Sequence, residues 1–137
     1  MAAEPTMLLQ LRESVLIDAE PSEIYGYFTD STAMLEWMGQ WAYLDARIGG
    51  ELQIDINGSA VRGRYLLLDP PRRIVFSWGF AGSDELPPGA STVEVTLTDE
   101  SGGTRVELVH SGLPDPERAK HAHGWRYFLA RLAAATA

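Results

Sequence analysis

The chain has 137 residues, no cysteine, and 19 acidic against 11 basic residues, which gives a formal net charge of −8. The absence of cysteine excludes disulfides, iron–sulfur clusters, thiolate zinc sites and cysteine nucleophiles, and it fits a reducing cytoplasm. The negative charge disfavours a nucleic-acid partner, and no stretch approaches the roughly 20 uninterrupted apolar residues that span a membrane. The length and the hydrophobic content of 45% predict one domain over residues 1–137, and the absence of cysteine leads us to expect it in the cytoplasm.

The first third of the chain predicts a strand and two short helices. Residues 8–17 are rich in aliphatic side chains and predict the first strand. Pro21 can start a helix, and residues 29–31 can break it and cap a second one. The second helix is expected to run through Leu35 and Trp37, and Gly39 after it is a natural stop.

From Trp41 onward, apolar and polar residues alternate, which predicts about six further strands. Asn57-Gly58 is typical of a tight hairpin turn. Pro70-Pro71 is expected to end a strand, and residues 81–90 predict a loop because they contain two prolines and two glycines. A second glycine-rich turn follows at residues 101–103.

The last element predicts a long amphipathic helix. Asp115 can cap it, and Pro116 suits its first turn. Its apolar stripe must pack on the apolar face of the sheet, since no other large partner is available. We therefore expect an α+β fold in which a curved antiparallel sheet wraps around this helix and leaves a pocket. The stripe consists of Trp125, Phe128, Leu129 and Leu132.

Seven short segments, taken in order from about Leu11 to Leu132, resemble a known family. They are Trp37 with residues 45–50, then 63–65, 69–78, 91–95, 103–105, 110–114 and 123–125. On these segments the chain is identified as a member of the START-like superfamily, also called SRPBCC or helix-grip proteins. Within it, the chain is similar to the branch named after the activator of the 90-kDa heat-shock-protein ATPase.

The resemblance implies a β-α-α-β6-α order that grips the last helix, with a cavity between sheet and helix. The superfamily includes lipid carriers, hormone receptors, and polyketide cyclases and aromatases. The branch has no shared catalytic motif to transfer, so no catalytic residue and no cofactor are assigned. The co-chaperone of this branch has an additional domain for chaperone binding, so the branch name is not itself a function.

The candidate ligand-binding residues are mainly aromatic side chains that either line a cavity or fill the core. His110 can donate to a ligand or act as a base, or it can simply bond the turn that follows it. His121 and His123 lie two apart on a helix and cannot chelate one metal ion, so no metal site is expected. The candidate residues are Trp37, Trp41, Tyr65, Phe76, Trp78, His110, Trp125 and Phe128.

The sequence favours the first of three functions and leaves the other two open as alternatives. The first is a carrier, sensor or sequestering protein for a small hydrophobic or aromatic molecule. The second is a cyclase-, aromatase- or hydrolase-like enzyme that uses His110 in the same cavity. The third is a co-chaperone-like interaction module that binds a chaperone through an exposed apolar patch. A homodimer is compatible with all three.

Overall fold

The computed structural model describes residues 10–136, and there its seven strands and three helices follow the predicted order. The strand predicted from residue 8 begins at Leu11, and residues 8 and 9 lie outside the described residues. The elements are β1 (Leu11–Ile17), α1 (Pro21–Thr29), α2 (Ser31–Met34), β2 (Trp41–Leu44), β3 (Glu51–Ile56), β4 (Ser59–Asp69), β5 (Arg73–Trp78), β6 (Ser91–Glu100), β7 (Gly103–Ser111) and α3 (Asp115–Thr136).

All seven strands belong to one antiparallel sheet in the order β1-β7-β6-β5-β4-β3-β2. The register between β4 and β5 shifts between Tyr65 and Leu67, where a bulge adds curvature to the sheet. This sheet and the C-terminal helix confirm the predicted α+β helix-grip fold.

The hairpin between β3 and β4 turns at Asn57-Gly58, as predicted. Both residues have positive φ, 48° at Asn57 and 88° at Gly58, which is the conformation that a two-residue hairpin turn requires. Ile56 and Ser59, which flank the turn, are therefore held side by side at one end of the sheet.

Helix α3 packs mainly against β1, and only its second half is buried. The first buried residue of α3 is Trp125, and those after it follow at intervals of three or four residues on one face of the helix. The N-terminal half of α3 therefore covers the sheet less closely than the C-terminal half. The buried residues of α3 are Trp125, Leu129, Leu132 and Thr136.

Among the described residues, no helix combines the length and the apolar character needed to cross a membrane.

Candidate ligand-binding site

A cavity of about 420 Å³ lies where the N-terminal half of α3 faces the end of the sheet, and it opens to solvent. The β3–β4 hairpin and the segment after β5 close its other sides. Its walls are apolar and mainly aromatic. The wall residues are Ile56, Trp78, Phe80, Trp125 and Phe128.

Polar side chains complete the lining of this cavity, and three of them come from α3. The Glu117 carboxylate lies 3.7 Å from Lys120 Nζ and 3.6 Å from His121 Nδ1. The Lys120 side chain is largely exposed, so its ion pair contributes only about 0–1 kcal/mol to stability. The remaining polar lining residues are Ser59 and Ser83.

The Trp78 ring is the centre of the aromatic wall. It packs in a tilted arrangement against Trp125, with ring centroids 5.1 Å apart. Phe80 and His121 meet it edge to face, each with centroids 6.2 Å away. These ring contacts give the cavity a continuous aromatic wall against which an apolar ligand can pack.

A buried hydrogen-bond chain fixes the tautomer of His110. The Trp125 indole Nε1 donates to His110 Nδ1 at 3.0 Å, so this nitrogen carries no proton. His110 Nε2 therefore holds the proton and donates to Ser91 Oγ at 2.8 Å. Ser91 Oγ in turn donates to the Trp78 carbonyl oxygen at 2.8 Å. Every polar atom of the His110 ring is thus paired.

His121 is held in the same way by the other indole. Trp78 Nε1 donates to His121 Nε2 at 3.2 Å, so His121 Nδ1 carries the proton and donates to the Glu117 carbonyl oxygen at 2.9 Å. The rings of His110 and His121 lie edge to face, with centroids 5.2 Å apart.

Both histidines are neutral at pH 7. Burial, together with the neighbouring His121, lowers the pKa of His110 to about 3. Burial also lowers the pKa of His121, although its contacts with Glu117 oppose the shift. While the indole bonds persist, neither ring has a free lone pair with which to accept a proton.

Three of the eight candidate residues meet at the cavity, namely Trp78, Trp125 and Phe128. Trp41 lies on the outer side of the sheet, where it is 46% exposed and the Arg62 guanidinium lies over its ring at 5.8 Å.

The other four candidates are buried in the interior and do not line the cavity. Trp37 Nε1 donates to the Tyr27 carbonyl oxygen at 3.0 Å, and Tyr65 Oη donates to the Phe28 carbonyl oxygen at 2.7 Å. These bonds satisfy the polar atoms of both rings within the protein, so neither needs a ligand. The four residues are Trp37, Tyr65, Phe76 and His110.

His121 is a lining residue outside the predicted set, although the sequence carries a signal for it. It precedes Trp125 by four positions, which places the two on the same side of a helix. Phe80 continues the alternation of Trp78 in the same manner. No comparable signal exists for Ser59 or Ser83, because their approach to α3 depends on how a hairpin and a loop converge.

Within the described part of the chain, no group of three or more histidine, aspartate or glutamate side chains is arranged to hold a metal ion.

The family model described as "Activator of Hsp90 ATPase homolog 1-like protein" matches residues 18–137. The human "Activator of 90 kDa heat shock protein ATPase homolog 1" is 31% identical over 127 residues, which is 91% of this chain and 36% of that protein. The chain thus spans little more than a third of the length of the curated relatives it matches.

Solved structures show similar folds. Protein CV1439 from Chromobacterium violaceum superposes with a TM-score of 0.82 at 29% identity, covering 95% of this chain and 98% of that one. DynU16, described as a putative protein in the dynemicin biosynthetic locus, has a TM-score of 0.79 at 26% identity, covering 92% of this chain and 46% of that one.

Proposed function

We propose, from the premise that the chain belongs to the family of Activator of Hsp90 ATPase homolog 1-like proteins, that it binds a small hydrophobic or aromatic molecule between the sheet and α3. One observation carries the proposal, namely an open cavity of about 420 Å³ walled by four aromatic rings. Ligand pockets in proteins commonly have volumes of about 300–1,000 Å³ and combine apolar walls with a few polar groups.

The composition of the lining supports an apolar ligand with a limited polar edge. Each Å² of apolar surface removed from water stabilises the complex by about 25 cal/mol. Stacking of an aromatic ligand on the aromatic walls adds further attraction between the rings. Glu117 and Lys120 can orient one polar group of the ligand. A carrier, sensor or sequestering role needs no more than this.

The enzyme alternative has less support. It requires His110 to face the cavity with a free nitrogen, whereas this ring is fully buried and both of its nitrogens are hydrogen-bonded. His121 does reach the cavity, but both of its nitrogens are also engaged.

Thermal unfolding with and without N-phenyl-1-naphthylamine, a neutral aromatic probe, tests the proposal. We expect the midpoint to rise with probe concentration, because a ligand at 100 times its Kd stabilises the folded state by about 2.7 kcal/mol. Trp41→Phe, outside the cavity, is the control and should respond like the wild type. An unchanged midpoint with this probe, together with no co-purified molecule in native mass spectrometry, would reject the proposal.

A second candidate, a co-chaperone-like interaction, is favoured by exposed apolar side chains on the outer side of the sheet. Trp41 and Tyr43 are 46% and 49% exposed on the edge strand β2, and Leu66 is 48% exposed on β4. The human relative is named as an activator of a chaperone ATPase. Such a partner would place the chain in the cytoplasm.

Stimulation of Hsp90 ATPase activity tests this second candidate. If the outer side of the sheet binds the chaperone, Trp41→Ala combined with Tyr43→Ala abolishes stimulation, whereas Tyr127→Ala, an exposed aromatic on α3, does not. No stimulation of Hsp90 ATPase activity by the wild-type chain at saturation would count against this second candidate.

A homodimer is also compatible with these functions, and sedimentation of the chain alone tests for it.

A further inference from the structure

Gly124 lies in the middle of α3 and lines the cavity. Glycine destabilises a helix interior relative to alanine, so a glycine at such a position needs a reason. A left-handed backbone is not the reason, since Gly124 is absent from the residues with positive φ.

Close packing is not the reason either. A Cβ built on Gly124 meets no atom within 4 Å outside its own helix. By contrast, a Cβ on Gly63 would approach the Ser77 carbonyl oxygen to 1.8 Å, and one on Gly79 would approach the Pro87 carbonyl oxygen to 1.9 Å. Those two glycines are required by the fold, and Gly124 is not.

The space beside Gly124 belongs to the cavity. On α3, Glu117, His121, Gly124 and Phe128 line it at successive intervals of four, three and four residues. These residues share one side of the helix, with Gly124 between His121 and Phe128. The missing side chain therefore leaves a bare strip of helix backbone opposite the Trp78 wall.

We propose that Gly124 is the specificity-determining residue of the site, because it keeps the cavity deep enough for a flat aromatic ligand to lie against the backbone of α3. This inference rests on the proposed function. The glycine leaves room for the ligand, although alanine at this position would make the helix more stable. Any side chain at this position occupies part of the ligand's space.

The test compares Gly124→Ala and Gly124→Leu with Gly26→Ala. Gly26 is the matched control because it lies in helix α1, lacks a positive φ, has no atom within 4 Å of a built Cβ, and does not line the cavity. Both alanine variants should raise the unfolding midpoint by about 3–5 °C, since each removes a helical glycine.

Fluorescence titration with N-phenyl-1-naphthylamine should then separate the two positions. Gly124→Ala is expected to weaken binding about tenfold, the usual effect of one methyl group in an apolar pocket, and Gly124→Leu to weaken it further. Gly26→Ala should bind like the wild type. A gain in stability accompanied by a loss of affinity is the signature of a glycine retained for a ligand.

Three results would overturn the inference. Unchanged affinity in both Gly124 variants, with normal wild-type binding, overturns it and leaves the proposed function standing. A lower unfolding midpoint in Gly124→Ala shows that the fold itself needs the glycine. No binding by the wild type, together with no co-purified molecule in native mass spectrometry, refutes the proposed function, and the inference fails with it.

Discussion

At the scale of single residues, the pairing of two indoles with two imidazoles defines the chemistry of the site. Trp125 donates to His110 and Trp78 donates to His121, so each histidine is an acceptor at one nitrogen and a donor at the other. A protonated imidazole has no acceptor. Protonation would therefore break an indole bond inside the core, which is why the neutral forms are favoured.

This pairing predicts that the protein loses stability in mild acid. In the folded state the pKa of His110 is about 3, whereas an unfolded histidine titrates near 6.5. As the pH falls from 6.5 towards 3, the unfolded state binds a proton that the folded state does not, so the free energy of unfolding decreases. Above pH 6.5 the contribution is complete. Between pH 7 and pH 5, His110 alone should account for about 2 kcal/mol.

Urea unfolding of the wild type and of His110→Gln, followed by tryptophan fluorescence at pH 7 and pH 5, measures this contribution. All ionisable groups other than His110 are present in both proteins, so their effects largely cancel in the difference. We expect the advantage of the wild type at pH 7 to shrink by about 2 kcal/mol at pH 5. Parallel pH dependences of the two proteins would contradict the assignment.

At the scale of elements, α3 performs two different tasks along its length. Its C-terminal half buries Leu129 and Leu132 in the core and holds the helix to the sheet. Its N-terminal half presents Glu117, His121 and Gly124 to the cavity. The amphipathic stripe was visible in the sequence. The sequence did not show that α3 changes near Trp125 from lining the cavity to packing in the core, because this depends on how far the sheet extends beneath the helix.

The anchoring role of the C-terminal half predicts a large cost for truncating Leu132. This side chain is fully buried, so Leu132→Ala removes packed methyl groups and leaves a void. We expect the free energy of unfolding to fall by about 2–5 kcal/mol. Leu16→Ala is the matched control, because Leu16 is 44% exposed on an edge strand and should lose only about 0.5 kcal/mol. Equal losses in chemical denaturation would show that α3 is not anchored in this way.

At the scale of the whole molecule, the order of the strands distributes stability unevenly. Strand β6 is paired on both sides, by β5 and β7, whereas the four-residue β2 is paired only with β3 within the described sheet. The cavity lies near the less protected side, between the β3–β4 hairpin and α3. A site so placed can open for a ligand while the centre of the sheet stays intact.

Amide hydrogen exchange should reveal this gradient. We expect the slowest exchange in β6 and the fastest strand exchange in β2, since edge amides open without disturbing the core. Added N-phenyl-1-naphthylamine should slow exchange in the β3–β4 hairpin and in the segment after β5. If protection increased at β1 and β7 and not near the hairpin, the ligand would be elsewhere.

The sequence by itself determined the order of the elements, the hairpin at Asn57-Gly58 and the apolar stripe of α3, because turn residues and periodicity act over only a few neighbours along the chain. Tertiary structure alone decided which aromatic residues meet at the cavity. Phe76 and Trp78 alternate on one face of β5 and carry the same sequence signal, yet only Trp78 reaches the cavity. Whether a side chain on this face is in the core or in the cavity wall depends on which part of helix α3 packs over it. Helix α3 is far away in the chain, so local sequence patterns do not contain this information.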